Sequence, residues 1–189
     1  TILTCVVFVS MLTITVTVGC QEQSSLYFGT VEPRHGPREL WINNSSEPEW
    51  LDPGRCSDST GGEIIWNTFE GLVQAHPSTL KPLPAIATHW DISEDGRVYR
   101  FYLRPSFWSD GHPLTANDFV FALHRLVDPQ TGSKYASNGF IFQEGLSISR
   151  GEADVSTLGV RALDSHTLEI ELVDPLPYFL NFLSFYSFM

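Results

Sequence analysis

The chain has 189 residues, a formal net charge of −11 and an aromatic content of 13%. This length is enough for one domain with a substantial core. The acidic balance argues against a nucleic-acid partner, which would favour a clustered basic face, and against electrostatic docking on anionic lipid.

The first 19 residues, TILTCVVFVSMLTITVTVG, carry no charge and are rich in Val, Ile, Leu and Thr. The run is close to the minimum length of a membrane span, and it also fits the apolar part of a secretory signal. It contains neither an initiator Met nor a basic segment, so we expect the true N-terminus to lie upstream or the start to be misassigned. Residues 1–19 are therefore predicted to be a signal peptide or a membrane anchor.

Residues 17–20, Thr-Val-Gly-Cys, resemble a bacterial lipobox, in which a signal peptidase cuts before a Cys that becomes lipidated. The small Gly19 fits this motif, whereas Thr17 departs from the usual Leu. We expect lipidation at Cys20; the alternative is an uncleaved anchor helix with an incidental Cys. Residues 20–38 are polar and contain Pro and Gly, which predicts a flexible tether.

Ordered structure is predicted from residue 39, with a short strand over residues 39–42. Thr60 and Glu63 have capping-box spacing, which predicts a helix with Gly71 near its C-terminal end. Helical periodicity gives this helix an inner face, made of Ile64, Ile65, Thr68, Phe69 and Leu72.

Two alternating runs flank Glu94-Asp95-Gly96, which predicts a β-hairpin. Tyr99, Phe101 and Leu103 share its more apolar face and are expected in the core. A second turn follows at Ser109-Asp110-Gly111, where we expect a positive φ at the glycine and Trp108 in the core.

Thr115 and Asp118 form a second capping-box pattern and predict a helix that ends at Asp128-Pro129. His124 and Arg125 fall in its last turn, where positive charge suits the helix dipole. One apolar stripe should face the core, and it consists of Phe119, Ala122, Leu123 and Leu126.

Residues 130–158 are weakly patterned, and a second hairpin is predicted around Asp164-Ser165-His166. A last helix is predicted after Pro177, with the sequence YFLNFLSFYSFM. This segment is apolar on almost every face, and such a helix needs cover on all sides. We therefore expect the sequence to be truncated at its C-terminus.

Motifs for catalysis and metal binding are missing from the sequence. The six histidines are scattered without metal-ligand spacing, and there is no G-x-S-x-G, G-x-G-x-x-G or P-loop motif. The three cysteines, Cys5, Cys20 and Cys56, form no C-x-x-C. Cys56 is expected to be a small buried residue; reaction with a ligand or pairing with Cys20 are minor alternatives. We expect no enzyme activity, no catalytic residue, no cofactor and no metal.

The stretch from Ala87 to Pro129 resembles the family 5 extracellular solute-binding proteins, which include oligopeptide- and dipeptide-binding proteins of bacterial ABC importers. The matching residues include Trp90, Ser93, Asp95-Gly96, Tyr99, Phe101, Leu103-Arg104, Trp108-Ser109-Asp110-Gly111, Pro113, Thr115-Ala116, Asp118-Phe119 and Arg125. Further matches on both sides extend the resemblance over residues 39–189. Oligopeptide-type binders look most similar, through Tyr135-Ala136-Ser137 and Leu158-Gly159-Val160.

The resemblance implies a mixed α/β (α+β) fold, a lobe of the type II periplasmic-binding-protein kind. Residues 39–189 would form the N-terminal, incomplete part of a two-lobed receptor that closes on a peptide. It also implies a monomer that delivers its ligand to ABC permease subunits in the membrane, with ATP hydrolysed by a separate subunit. With Cys20, it implies a protein of the periplasm or cell surface, lipid-anchored to the membrane.

Two ligand-binding sites follow from the resemblance by position. Ser57, Asp58 and Ser59 match an extended segment that pairs with the ligand through its main chain; capping of the next helix is a compatible alternative. Tyr135 matches a ligand-contacting Tyr, and the alternative is a half-buried loop residue.

Other functions remain open at this point. A membrane-anchored sensor or interaction domain of the same fold would not transport. The resembling family also includes binders of nickel, haem, opines and oligosaccharides, and the discriminating pocket would lie mostly in the second lobe.

Overall fold

A computed structural model of the chain describes residues 43–189. The predicted leader (1–19), the tether (20–38), the strand at 39–42 and the lipidation site Cys20 lie outside the described residues. Among the described residues, no helix has the length and apolar character needed to cross a membrane.

Helices and strands alternate irregularly along the described chain, which agrees with the predicted α+β class. Three short 3-10 helices lie at Ala136–Ile141, Val155–Thr157 and Tyr186–Phe188. In chain order the elements are α1 (Ser59–Thr68), β1 (Val73–Ala75), β2 (Pro82–Pro84), β3 (Ala87–Ile92), β4 (Val98–Leu103), β5 (Ser106–Phe107), β6 (Pro113–Leu114), α2 (Ala116–Val127), α3 (Gly145–Ser149), β7 (Val160–Asp164), β8 (Thr167–Glu171) and α4 (Phe179–Phe182).

A four-stranded antiparallel sheet in the order β3-β4-β8-β7 forms the centre of the fold. Its two outer pairs are the two predicted hairpins, which are both confirmed. Gly96 has a φ of 71° and closes the first of them, a backbone conformation that favours glycine. The strands β4 and β8, which lie far apart in the sequence, meet with Phe101 opposite Leu168.

The main core lies between this sheet and α2, which packs against β7 and β8. Phe101 and Leu126 are fully buried, as the alternation of β4 and the periodicity of α2 predict. The Asp118 carboxylate accepts hydrogen bonds from the Thr115 backbone N–H at 2.7 Å and from its hydroxyl at 2.8 Å. The predicted helix start is therefore confirmed.

The sheet also carries a buried carboxylate, that of Glu169 on β8, which is 4% exposed. Arg100 on β4 donates to it at 2.7 Å, and Arg161 on β7 donates to its other oxygen at 2.8 Å. Burial opposes the charged form, but these hydrogen bonds hold the pKa of Glu169 below its usual value. One carboxylate thus ties three neighbouring strands together.

The prediction for the first helix was wrong at both ends. The helix α1 begins after Asp58, which caps it, and not at Thr60. It ends at Thr68, three residues before Gly71. The carboxylate of Asp58 accepts from the backbone N–H of Gly61, and this nearer cap determines the helix start.

The prediction of one continuous C-terminal helix was also wrong. The segment breaks into the short α4 and a 3-10 turn, with extended backbone at Phe185. The break lets neighbouring rings point to different places: Phe188 enters the main core, and Tyr186 enters a second, smaller cluster.

Trp108 was predicted in the core, and its side chain is instead 39% exposed. Its indole N–H donates to Asp118 at 3.4 Å, and its ring meets the edge of Phe69 at 6.4 Å. Because the indole of Trp108 carries a polar N–H at its edge, the side chain is suited to a position that is partly open to solvent. The positive φ predicted for Gly111 is confirmed, at 89°.

Phe101→Ala should lower the free energy of unfolding by about 3–5 kcal/mol, because it removes a fully buried ring from the centre of the sheet. Phe121→Ala is the matched control, since that ring is 65% exposed, and it should change the value by less than about 0.5 kcal/mol. Urea denaturation followed by circular dichroism measures both. Equal losses in the two variants would contradict the core described above.

Candidate functional site

The turn that leads into the predicted ligand segment is held by an ion pair. Asp52 receives two hydrogen bonds from Arg125 of α2, at 2.9 and 2.5 Å. The same carboxylate accepts the backbone N–H of Gly54 at 3.0 Å. The bonds from Arg125 above all keep the pKa of Asp52 below its usual value. The side chain of Arg125 on α2 therefore fixes the turn that precedes Ser57.

Asp58 itself caps α1. Its carboxylate accepts from Gly61 N–H at 2.7 Å, which lowers the pKa of Asp58, and its carbonyl accepts from Gly62 N–H at 3.0 Å. The thiol of the buried Cys56 donates to the same carbonyl at 3.5 Å. The side chain of Asp58 is thus occupied in capping, the role that the sequence left open beside ligand binding.

The main chain of Ser57, unlike that of Asp58, takes no part in capping the helix. Ser57 is half-buried, and neither its backbone N–H nor its C=O forms a hydrogen bond to any described residue. Buried backbone groups are nearly always paired. Ser59 is exposed and begins α1, where the first N–H groups lack partners within the helix. This short segment can therefore pair with an extended chain.

A tyrosine that the sequence analysis did not single out, Tyr186, packs directly behind the segment. It is 3% exposed and forms a small cluster with the buried Cys56 and Ile65. Burial, with the neighbouring Tyr135 and Cys56, raises the pKa of Tyr186. A Cβ on Gly62 would lie 2.6 Å from the Tyr186 ring, so any other residue there would force the ring to move.

Tyr135 contacts the same cluster from another part of the chain. It is half-buried, and its ring meets the edges of Phe185 at 5.2 Å and of Tyr186 at 5.9 Å. It also lines an open recess of about 340 Å³. The described residues that line this recess are Trp66, Tyr135, Asn138, Asn181, Phe182, Ser184 and Phe185.

The two predicted sites, the segment 57–59 and Tyr135, are thus both supported by Tyr186 but do not line the same cavity. Cys56, next to Ser57, and Tyr135 both pack against Tyr186, whereas Ser57, Asp58 and Ser59 do not line the recess. Sequence reasoning missed Trp66 and Tyr186. The one available indication was the Gly61-Gly62 pair, because glycine in a helix start often marks a close approach.

A larger cavity of about 1070 Å³ is lined by Phe107, Trp108 and Phe121 among others. Four of the charged groups that line it form two ion pairs, Asp52 with Arg125 and Arg104 with Glu70, the latter at 2.6 Å. The carboxylate of Asp118, which also lines it, accepts hydrogen bonds from Thr115 and Trp108. None of the predicted ligand residues lines it. We therefore place the candidate site at the segment around Ser57 and at the recess beside Tyr135. In the described part of the chain, no group of His, Cys, Asp or Glu is arranged to hold a metal ion.

Comparison with known proteins gives one family and a consistent set of relatives. The sequence model of the bacterial extracellular solute-binding proteins, family 5 Middle, matches residues 81–189. The periplasmic oligopeptide-binding protein OppA of Escherichia coli is 42% identical over 75% of this chain and 26% of its own length. A probable deoxycholate-binding periplasmic protein of the same species is 42% identical over 78% of this chain and 28% of its own length.

Solved structures agree with the sequence matches. The Haemophilus influenzae OppA complex with the peptide RPPGFSPFR has a TM-score of 0.74 and 34% identity, covering 77% of this chain and 29% of that one. The unliganded, open form of the murein tripeptide binding protein MppA has a TM-score of 0.72 and 39% identity, covering 75% and 28%. The chain spans between a quarter and a third of the length of these relatives.

Gly62→Ala should destabilise the protein, although Ala is favoured over Gly in most helices by about 1 kcal/mol. The reason is the Tyr186 ring, which the new Cβ would meet at 2.6 Å. In a Tyr186→Ala background the same substitution should become neutral or stabilising. Thermal unfolding of wild type, the two single variants and the double variant gives the coupling free energy between positions 62 and 186. Additive effects would contradict the contact.

Proposed function

Because the chain belongs to family 5 of the bacterial extracellular solute-binding proteins, we propose that it is part of a receptor that captures oligopeptides outside the cytoplasmic membrane. The receptor binds a peptide, closes on it and delivers it to the permease of an ABC importer. Its relatives are substrate-binding proteins and not enzymes. The role proposed for this protein is accordingly binding without catalysis, as a monomer.

The observation that carries the proposal is the unpaired main chain of Ser57. Ser57 is half-buried, and its N–H and C=O have no partner among the described residues. An extended peptide can satisfy both groups by strand-like pairing, which gives affinity without reading side chains. Arg125, through Asp52, and Tyr186, through Cys56 and Gly62, hold the segment rigid from two directions. A preformed segment lowers the entropic cost of binding.

Tyr135 is the second proposed contact. Its ring is held at a fixed angle by Phe185 and Tyr186, and it remains half exposed at the edge of the recess. A tyrosine offers a peptide an apolar face and a hydroxyl at little entropic cost. The names of the periplasmic relatives and the motif at Cys20 support a lipid-anchored protein at the periplasmic or outer cell surface.

Calorimetric titration of the full-length protein with tri-alanine tests this function. We expect binding in wild type and in Ser57→Ala, because the main chain is unchanged. Ser57→Pro should weaken binding by about tenfold, because it removes one backbone donor. Deoxycholate is titrated in parallel, since a 42% identical relative is named for it.

Circular dichroism melting shows whether both Ser57 variants remain folded. Absence of binding by tri-alanine, or binding of deoxycholate alone, would contradict a peptide receptor. Equal affinities of folded Ser57→Ala and Ser57→Pro would contradict main-chain pairing at this segment.

A further inference from the structure

We propose that the recess beside Tyr135 is a subsite for one aromatic side chain of the bound peptide. This inference rests on the proposed function and adds to it a preference among peptides. The recess measures about 340 Å³, at the lower end of the range of about 300–1,000 Å³ for ligand pockets. It suits a single large side chain better than a whole oligopeptide.

The walls of the recess are aromatic and fixed in place. Trp66 is 48% exposed, and its indole N–H donates to the Ser184 carbonyl at 3.1 Å. The edge of its ring meets Phe185 at 6.0 Å. Phe182 and Tyr135 complete the wall. Aromatic rings prefer edge-to-face and offset contacts with one another, so a further ring can join this group.

The polar groups of the recess favour a neutral ligand group. Asn181 donates its amide N–H to the Leu80 carbonyl at 2.6 Å, and Asn138 donates to the Ser187 hydroxyl at 3.3 Å. No described residue donates a hydrogen bond to their side-chain carbonyl oxygens, so these atoms can accept from a phenol or an indole. None of the described residues lining the recess is charged, so a charged ligand side chain would lose hydration without gaining an ion pair.

The position of the recess connects it to the proposed peptide site. Tyr135 is both a wall of the recess and a proposed ligand contact, and Trp66 projects from α1, the helix that starts directly after Ser57 and Asp58. Both rings pack against Tyr186. A peptide on the Ser57 segment and a side chain in the recess would therefore contact residues that are held by the same buried ring.

The test is calorimetry on the full-length protein with tri-alanine and with tripeptides carrying Phe, Lys or Glu at each position in turn. At one position, Phe should bind about tenfold more tightly than Ala, and Lys and Glu no more tightly than Ala. Trp66→Ala should abolish the preference for Phe, so that the Phe- and Ala-containing tripeptides bind with equal affinity. Trp108→Ala, which changes an exposed Trp outside the recess, should keep the preference.

A second variant, Asn181→Asp, places a carboxylate in the recess at an exposed position and should shift the preference from Phe towards Lys. Equal affinity for Phe and Ala at every position would overturn the subsite while tri-alanine binding upholds the receptor function. A preference for Lys in wild type, or retention of the Phe preference in Trp66→Ala and Asn181→Asp alike, would also overturn it. Failure of every peptide to bind would overturn both proposals.

Discussion

The contact between the Tyr186 ring and the start of α1 determines the geometry of the whole candidate site. The ring lies against Gly62, where any larger residue would force it to move, and it is buried with Cys56 and Ile65. From the other side it meets Trp66 at 5.3 Å and Tyr135 at 5.9 Å. One side chain therefore sets the distance between the segment proposed to pair with a peptide, the first helix and the loop that carries Tyr135.

A second constraint acts on the same segment from the main core. Arg125 lies on α2, whose apolar face is packed on the central sheet, and it holds Asp52 with two hydrogen bonds. Rigid elements on both sides hold the intervening main chain of Ser57, whose polar groups have no hydrogen-bond partner among residues 43–189. Binding proteins gain affinity when such groups are held in position before the ligand arrives. The structure thus combines a packed core with a short, fixed segment that we propose for peptide binding.

The sequence predicts the parts of this fold that depend on local patterns. The first hairpin and the start of α2 can be predicted because the residues that interact, around Asp95-Gly96 and in the pair Thr115 and Asp118, lie only a few positions apart in the sequence. The break near Phe185 was not predictable, because a segment that is apolar on every face has no periodicity to indicate its direction. The pairing of Tyr186 with Gly62 joins distant parts of the chain. The prediction for Trp108 was wrong because an aromatic side chain usually indicates burial. Its indole N–H instead donates to Asp118 at the edge of a cavity.

The most direct test of peptide pairing at Ser57 is a crystal structure of the full-length protein with tri-alanine bound. We expect the peptide main chain to hydrogen-bond to the backbone of Ser57 and to contact Tyr135, with Tyr186 unmoved behind both. A peptide bound in the larger cavity beside Trp108, with the Ser57 backbone still without a partner, would contradict it.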